Sequence, residues 1–203
     1  MENMELTVID KSSWPRGPWD SEPDKVQWTD PATGLPCLAV RNPRSGNWCG
    51  YVGVSSGHPA YHQGYDAVDV EVHGGLTFAG SCQENSPEPR ICHTPEPGEP
   101  DDVWWLGFDC AHVFDLSPAY KALLAPITGD VYRSLGYVRW ECTSLAQQLS
   151  EIGPEDVQQE PDQNDEVRCC PDCERPNQFG ELCPECTRDR DVRDNVRDVE
   201  DYS

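Results

Sequence analysis

The stretch Leu38-Ala-Val-Arg-Asn-Pro-Arg-Ser-Gly-Asn-Trp-Cys-Gly-Tyr-Val-Gly-Val54 consists of two apolar runs joined by turn-forming residues. Pro, Arg, Ser and Gly between Asn42 and Asn47 favour a reversal of the chain. The flanking runs, Leu38–Val40 and Cys49–Val54, have the length and the apolar content of strands. The stretch therefore predicts two strands and the turn between them, around which a sheet can form.

Two further strands are expected on the C-terminal side of this stretch. Valine alternates with acidic residues from Val68 to Val72, and the run continues into Leu76–Phe78, which predicts a strand in a sheet with one solvent-exposed face. The run Val103–Phe108 is apolar throughout and is expected at the centre of the sheet. Between these runs, residues 83–102 contain five prolines, which predicts a functional flap or a locally disordered loop.

Helix is expected late in the first 152 residues. Within Asp130–Ile152, apolar residues recur at intervals of three and four, which predicts an amphipathic helix that closes one face of the sheet. A short helix is expected at Pro118–Leu124. The N-terminal third is rich in Pro, Gly and Trp and is expected to form loops and short extended pieces. The predicted fold class is α+β: a small antiparallel sheet covered by a long C-terminal helix, in a domain of residues 1–152.

The rest of the chain changes abruptly in composition. Residues 153–168 have almost nothing to bury and are expected to be an acidic, disordered linker, while residues 188–203 form a charged tail. Residues 169–187 resemble a short zinc ribbon, with two Cys-Pro-x-Cys pairs at the spacing that suits tetrahedral coordination. One structural Zn²⁺ ion is predicted here, and a protein partner is expected to bind this module. Its ligands would be Cys170, Cys173, Cys183 and Cys186.

The charge of the chain limits the classes of partner. The formal net charge is −22, and residues 151–203, with 17 acidic and 6 basic side chains, carry half of it. Direct binding to nucleic acid is disfavoured, because phosphates are neutralised by clustered Lys and Arg. No apolar stretch approaches the roughly 20 residues of a membrane helix. The start Met1-Glu-Asn-Met-Glu5 lacks the pattern of a secretory signal, so the eleven cysteines are expected in a reducing cytoplasm.

Polar residues near the ends of the predicted strands suggest a site. Gly74 and Gly75 follow His73 and would allow a ligand, above all an anion, to approach the backbone closely. A β-bulge beside a histidine whose ring nitrogens are hydrogen-bonded within the protein would give the same pattern. Asp109 would fix the tautomer of His112, which would then act as a general base, or it would simply cap the turn after the strand.

Two other chemistries are compatible with the sequence. Cys49 would give, with His73 and Asp109, the residue order of several thiol hydrolases, but it begins a strand and so lacks the helix dipole that would lower its pKa. A second metal site would need cysteines and histidines whose spacing fits no standard zinc pattern. Its ligands would come from Cys82, Cys92, His93, Cys110 and His112.

Seven motifs are distributed across residues 14–150. They are Gly17-Pro-Trp-Asp20, Gly34-Leu-Pro-Cys-Leu38, Trp48-Cys-Gly-Tyr-Val-Gly-Val54, Gly57-His-Pro-Ala-Tyr61, Val72-His-Gly-Gly-Leu-Thr-Phe78, Trp104-Trp-Leu-Gly-Phe-Asp-Cys-Ala-His112 and Asp130-Val-Tyr-Arg133. Together they resemble a family of accessory proteins encoded by tailed bacteriophages and prophages. The resemblance implies a small protein made in the cytoplasm of a bacterial host, and it implies no particular activity. The acidic linker and the zinc segment look like an addition to the shared domain.

Three functions are compatible with these features. The first is a binding module that holds a small ligand, such as a nucleotide, in a pocket of aromatic and histidine side chains. The second is a hydrolase that uses His73, Asp109 and His112, with or without Cys49 or a metal. The third is an acidic adaptor or an inhibitor of a basic host protein. The pocket of the first hypothesis would be lined by Tyr51, His58, Tyr61, His73, Asp109 and His112.

Overall fold

The computed structural model describes residues 4–95, 102–120 and 129–157. The chain divides into two units, Met1–Gln158 and Gln159–Ser203. The second unit and the end of the predicted short helix, residues 121–124, lie outside the described residues. The zinc ribbon therefore stays a prediction, together with its ligands Cys170, Cys173, Cys183 and Cys186.

A six-stranded antiparallel sheet and one long helix make up the first unit, which confirms the α+β class. In the sheet the strands lie in the order β1-β2-β3-β4-β6-β5. The predicted turn joins β3 to β4, and β6 pairs with β4 along its whole length. The elements are β1 (Met4–Leu6), β2 (Lys25–Thr29), β3 (Pro36–Arg41), β4 (Trp48–Ser55), β5 (Phe78–Gly80), β6 (Val103–Asp109) and α1 (Leu135–Glu151).

The two faces of the sheet are covered differently. Alternate residues of β4, such as Trp48 and Val52, join the main core against α1, while Tyr51 lies in a second apolar cluster on the other face. Glycine makes the close packing on the helix face possible, because a Cβ at Gly50 would lie 2.8 Å from the Cys142 sulfur of α1. Helix α1 therefore closes one face, as its apolar spacing predicts.

The proline-rich segment covers the second face over its described part. Ile91 is buried in the second apolar cluster, and the side chain and backbone of Gln27 and Thr94 exchange hydrogen bonds of 3.0 and 3.2 Å. Cys82 and Cys92 form a disulfide that closes this loop. Ile91, Cys92 and His93 are thus buried against this face, whereas residues 83–88 are mostly exposed. The buried end of the segment is therefore not the flap or disordered loop that composition suggested.

The strand predicted at Val68–Val72 is wrong. The amide and carbonyl of Glu71 bond to the side chain of Gln148 on α1, at 2.7 and 2.8 Å, and not to a neighbouring strand. Val68 is buried, and Val70 and Val72 pack against the main core. The alternation therefore marks an extended segment that lies along the helix. Only the end of the predicted run becomes a strand, β5.

Helix α1 begins later than predicted. Ser134 is its N-cap, with the side-chain oxygen accepting from the Tyr137 amide, and the Glu22 carboxylate accepts from the Leu135 amide at 3.0 Å. An N-cap hydroxyl and a carboxylate at the positive end of a helix both fix its start. Val131 lies before that start and pairs with Asp115. Within the described residues, no helix has the length and hydropathy that crossing a bilayer requires.

A buried network of charges ties the N-terminal segment to the sheet. The guanidinium of Arg41 is fully buried, bonds to Glu22 at 2.8 Å, lies 3.3 Å from the Asp24 carboxylate and stacks over Trp48. Lys11 lies 2.7 Å from the same Asp24 carboxylate. The network pairs two cations with two anions. It explains how a segment rich in proline and tryptophan, with little regular structure, is held in place.

The C-terminal boundary of the first unit lies beyond the predicted one. Val157 is buried and pairs with Val68, and a short 3-10 turn at Pro154–Asp156 leads to it. The first residues of the predicted linker therefore pack on the domain.

Candidate functional site

The loop after β6 carries two of the predicted site residues and one that was not predicted. The Asp109 carboxylate accepts from the Ala111 amide at 3.0 Å, which is the turn-capping role left open above. A second turn follows, in which the Asp115 carboxylate accepts from the His112 amide at 3.1 Å and the Asp115 amide donates to the His112 carbonyl at 3.0 Å. This turn directs His112 and Asp115 toward the same point.

His73 is held by three contacts that arise from two different parts of the fold. Its amide donates to Glu141 at 3.1 Å, and its Nδ1 lies 3.0 Å from the Tyr137 hydroxyl, so that α1 fixes one side. Its Nε2 lies 2.6 Å from Asp115 Oδ2. Both ring nitrogens are therefore engaged, and the imidazole has a defined orientation.

Asp115 is the buried anchor of the site, with a side chain only 1 % exposed. Its second oxygen, Oδ1, accepts from Arg133 Nε at 2.8 Å. Burial raises the pKa of Asp115, but hydrogen bonds, first from Arg133 and then from His73, outweigh burial and bring that pKa below its ordinary value. The same hydrogen bond raises the pKa of Arg133. Asp115 is thus a carboxylate with a fixed direction for each oxygen.

His112 is the one imidazole of the site with an unsatisfied nitrogen. Its Nδ1 lies 3.7 Å from Asp115 Oδ2 and 4.0 Å from Asp109 Oδ1, and it has no hydrogen-bond partner within the part of the chain that the structure describes. The side chain is 36 % exposed. The ring meets His73 edge to face, with centroids 5.4 Å apart. His112 therefore offers a nitrogen lone pair or N–H group to whatever enters the site.

Gly74 makes room for His112. A Cβ on Gly74 would lie 2.1 to 2.5 Å from three ring atoms of His112, and the residue has a φ of +68°, a region that favours glycine. Gly75 also has a positive φ, but a Cβ there would meet nothing within 4 Å. The Gly75 amide donates to the Val72 carbonyl at 3.0 Å. The glycines do permit a close approach, as predicted, but His112 occupies the place that was expected for a ligand.

One set of ligand-type atoms converges here. His73, His112 and Asp115, called the histidine–aspartate cluster below, place one nitrogen or oxygen each within 4.8 Å of one another. Among the described residues it is the only group of three or more His, Cys, Asp or Glu side chains this close together. The predicted partner Asp109 is replaced by Asp115.

The second metal site suggested by sequence does not form. Cys82 and Cys92 are bonded to each other, and Cys110 is buried in the main core. His93 is buried against Trp105, with ring centroids 5.4 Å apart. Of that set only His112 belongs to the histidine–aspartate cluster.

Cys49 is not a nucleophile for His73. It packs against the second apolar cluster, whereas His73 bonds to α1, which covers the opposite face. Burial raises the pKa of the Cys49 thiol to about 12, so the thiolate is scarce at neutral pH. Its position and its pKa therefore both argue against Cys49 as the nucleophile of the thiol-hydrolase hypothesis.

The aromatic and histidine residues predicted to line one pocket are spread over the domain. His58 bonds to the Leu149 carbonyl at 2.9 Å, twelve residues along α1 from the Tyr137 that contacts His73. Since a helix rises 1.5 Å per residue, these points lie roughly 18 Å apart. Tyr61 bonds to Asp102, and Tyr51 packs on Phe78 on the second face, with ring centroids 5.5 Å apart. Only His73, Asp109 and His112 come near one another.

Sequence reasoning missed the residues that support the cluster. Tyr137 and Glu141 lie one helical turn apart on α1, and this spacing places both on one face of the helix. The apolar residues that recur through the same segment predict only a core-facing helix, so the polar pair is not apparent from the pattern. Arg133 was noted only as part of a resemblance. Asp115 lies among the polar residues after β6, but the end of the strand itself favours Asp109.

The chain matches no known protein family, no curated protein and no solved structure. The resemblance to tailed-phage accessory proteins therefore stays a prediction, as does the location in a bacterial cytoplasm. The chemistry of the histidine–aspartate cluster is the basis for a functional assignment.

Proposed function

We propose that the chain is a hydrolase that activates a water molecule at the histidine–aspartate cluster. The observation that carries the proposal is the unpaired Nδ1 of His112 beside two groups, His73 and Asp115, whose orientations are fixed by hydrogen bonds. An imidazole nitrogen activates water either by accepting its proton or by ligating an ion that carries the water. Fixed neighbours keep the reacting group in place, which is the usual requirement of a catalytic site.

Arg133 supplies a positive charge at the same place. Its Nε is bonded to Asp115, and its guanidinium lies 4.9 Å from the centre of the Tyr137 ring. Its two Nη groups have no protein partner among residues 4–95, 102–120 and 129–157, and the side chain is 28 % exposed. Hydrolysis of an ester or phosphoester builds negative charge on oxygen, and a held guanidinium stabilises that charge.

The burial of the cluster suits a reaction with a solvent-borne substrate. Asp115 is shielded, so its contacts with Arg133 and His73 are weakly screened, whereas the His112 side chain is 36 % exposed. A buried anchor beside a partly exposed imidazole, whose Nδ1 faces inward, keeps the site close to solvent without loosening it.

The proposal is tested by turnover of three chromogenic substrates: 4-nitrophenyl acetate, 4-nitrophenyl phosphate and bis(4-nitrophenyl) phosphate. At least one is expected to be hydrolysed by the full chain, and His112→Ala is expected to reduce the rate at least 100-fold, the lower range for loss of such a group. His62→Asn is the matched control, because His62 is an exposed imidazole with a φ of 62°, a conformation that Asn tolerates. Equal turnover in both variants would rule out the cluster as the catalytic centre.

A further inference from the structure

We propose that the histidine–aspartate cluster binds one divalent transition-metal ion of the Zn²⁺ type through His73 Nε2, His112 Nδ1 and Asp115 Oδ2. The inference rests on the proposed function and deepens it, because it assigns the means by which the same cluster activates water. Metal binding is nevertheless measurable without turnover.

The three donor atoms have the spacing of an ion site before the ion enters. Asp115 Oδ2 lies 2.6 Å from His73 Nε2 and 3.7 Å from His112 Nδ1. Ligands at zinc-type bond lengths of about 2.0–2.1 Å in tetrahedral geometry lie about 3.3 Å apart. The observed distances fall on either side of this value. Entry of an ion therefore requires that the contact between His73 and Asp115 opens and that His112 moves inward.

The donor types select the class of metal. Two imidazoles and one carboxylate suit Zn²⁺, Fe²⁺ and related ions, whereas Mg²⁺ and Ca²⁺ favour sites made of oxygen ligands. Three protein ligands leave a coordination position for water, the pattern of catalytic zinc sites.

The surrounding contacts orient each ligand. Tyr137 lies 3.0 Å from His73 Nδ1, and Glu141 is one turn further along the same helix. Tyr137 engages Nδ1, so Nε2 is the ring nitrogen directed at the cluster, and an ion bound there would replace the proton of its hydrogen bond to Asp115 Oδ2. Metal-bound histidines carry this kind of outer partner.

Asp115 is oriented in the same way. Its Oδ1 accepts from Arg133 at 2.8 Å. Its Oδ2 accepts from the His112 amide at 3.1 Å and is the oxygen directed at the His73 ring. Asp109, Asp115 and Glu141 supply three carboxylates around the cluster, against the single guanidinium of Arg133. The surplus of negative charge favours a cation at this point.

His112 gives the independent indication that something binds. Its Nδ1 is shielded from solvent without a hydrogen-bond partner among the described residues, and buried polar atoms are usually paired. The nitrogen lies on the side of the ring that faces Asp115 Oδ2. An ion between them would give this nitrogen the partner that it lacks.

The test uses the full chain with each of the five C-terminal cysteines replaced by serine, so that the predicted zinc-ribbon thiolates do not bind the probe; these are Cys169, Cys170, Cys173, Cys183 and Cys186. The protein is stripped with a chelator and titrated with Co²⁺, followed by visible absorption, with Zn²⁺ competition read by calorimetry. One Co²⁺ per chain with nitrogen and oxygen ligation is expected. His73→Ala and His112→Ala are each expected to weaken binding at least 100-fold, and His62→Asn is expected to leave it unchanged, with circular dichroism confirming that each variant is folded.

The outcomes separate this inference from the proposed hydrolase. No Co²⁺ binding in the micromolar range, or binding that His112→Ala does not weaken, would overturn the metal site. Turnover that survives the chelator would also overturn it and would leave His112 as a general base. Metal binding that depends on His73 and His112, without turnover of any ester or phosphoester, would support the metal site and overturn the hydrolase.

Discussion

Gly74→Ala is the sharpest perturbation of the histidine–aspartate cluster, because it removes none of the three ligands. The added methyl would lie 2.1 Å from Cε1, 2.3 Å from Nε2 and 2.5 Å from Nδ1 of His112. Carbon and nitrogen atoms in contact are separated by about 3.5 Å, so the ring must move by roughly 1.4 Å. The substitution therefore displaces His112 from its place beside Asp115.

A displacement of this size is large compared with the tolerance of a metal bond. Ligand distances in well-formed sites vary by about 0.2 Å, so a ring moved by roughly 1.4 Å no longer coordinates. The affinity for Co²⁺ is expected to fall at least 100-fold, which corresponds to about 2.7 kcal/mol. Turnover is expected to fall with it.

Gly75→Ala is the matched control for backbone strain. Gly75 has a φ of +85° and Gly74 a φ of +68°, so alanine at either position costs about 1–2 kcal/mol of conformational strain. Both variants are expected to melt at a temperature roughly 2–8 °C lower than the parent. A Cβ at Gly75 meets nothing within 4 Å, so its Co²⁺ affinity is expected to remain that of the parent.

The comparison is made by Co²⁺ titration and thermal unfolding of both variants in the background that lacks the five C-terminal cysteines. Equal Co²⁺ affinity in Gly74→Ala and Gly75→Ala would refute the reasoning, because His112 would then not contribute a ligand from its observed position. A thermal shift confined to Gly74→Ala would refute the account of strain at Gly75.

The buried ion network, the disulfide and the Cys49 thiol each have a measurable consequence. Arg41→Met leaves buried carboxylates without their cation and is expected to lower the free energy of unfolding, measured by urea denaturation, by about 3–5 kcal/mol. A decrease below about 1 kcal/mol would contradict the role of the network. Burial opposes ionisation of Glu22, but its hydrogen bonds outweigh burial and bring its pKa below 4.5. The contribution of Glu22 to the unfolding free energy is therefore complete above pH 4.5. It is lost as the pH falls through the pKa that Glu22 has in the folded protein. Glu22→Gln is therefore expected to flatten the fall of the unfolding free energy below pH 4.5, and an unchanged slope would count against it. Reduction of Cys82–Cys92, which are 10 residues apart, is expected to cost about 2–3 kcal/mol, with the linked peptides seen by mass spectrometry only before reduction. Cys49 is expected to resist iodoacetamide until the protein is denatured, since burial raises its pKa to about 12; rapid labelling of the native protein would contradict its burial.

Local patterns predicted much of the sheet and the helix. The runs around Leu38–Val54 and the apolar run before Asp109 became adjacent strands, because turn residues and apolar content act over a few positions. The alternation at Val68–Val72 gave a wrong prediction, because the neighbour that buries this segment is distant in sequence. Alternating burial reports an extended segment with one buried side, and it does not distinguish a sheet from a helix as the neighbour that buries it.

The disulfide shows a similar limit. Cys82 and Cys92 are candidate metal ligands by residue type, although their spacing fits no standard zinc pattern. In the structure the loop between them folds over the second face of the sheet and brings the two sulfurs together. That pairing depends on contacts such as Gln27 with Thr94, which are distant in sequence. Cysteine spacing predicts proximity, and the surrounding packing decides what the sulfurs bind.

The choice between Asp109 and Asp115 depended on contacts that no local pattern contains. Asp115 reaches the cluster because residues 114–116 are tied to Val131 by backbone hydrogen bonds, and this places Arg133 against its carboxylate. The glycine after His73 did signal a close approach, but the approaching group came from the loop after β6. A left-handed glycine beside a histidine therefore identifies where two groups must touch, and only the fold identifies the second group. Here that group is an imidazole with an unpaired nitrogen, which makes Gly74 a positioning residue for the proposed ion.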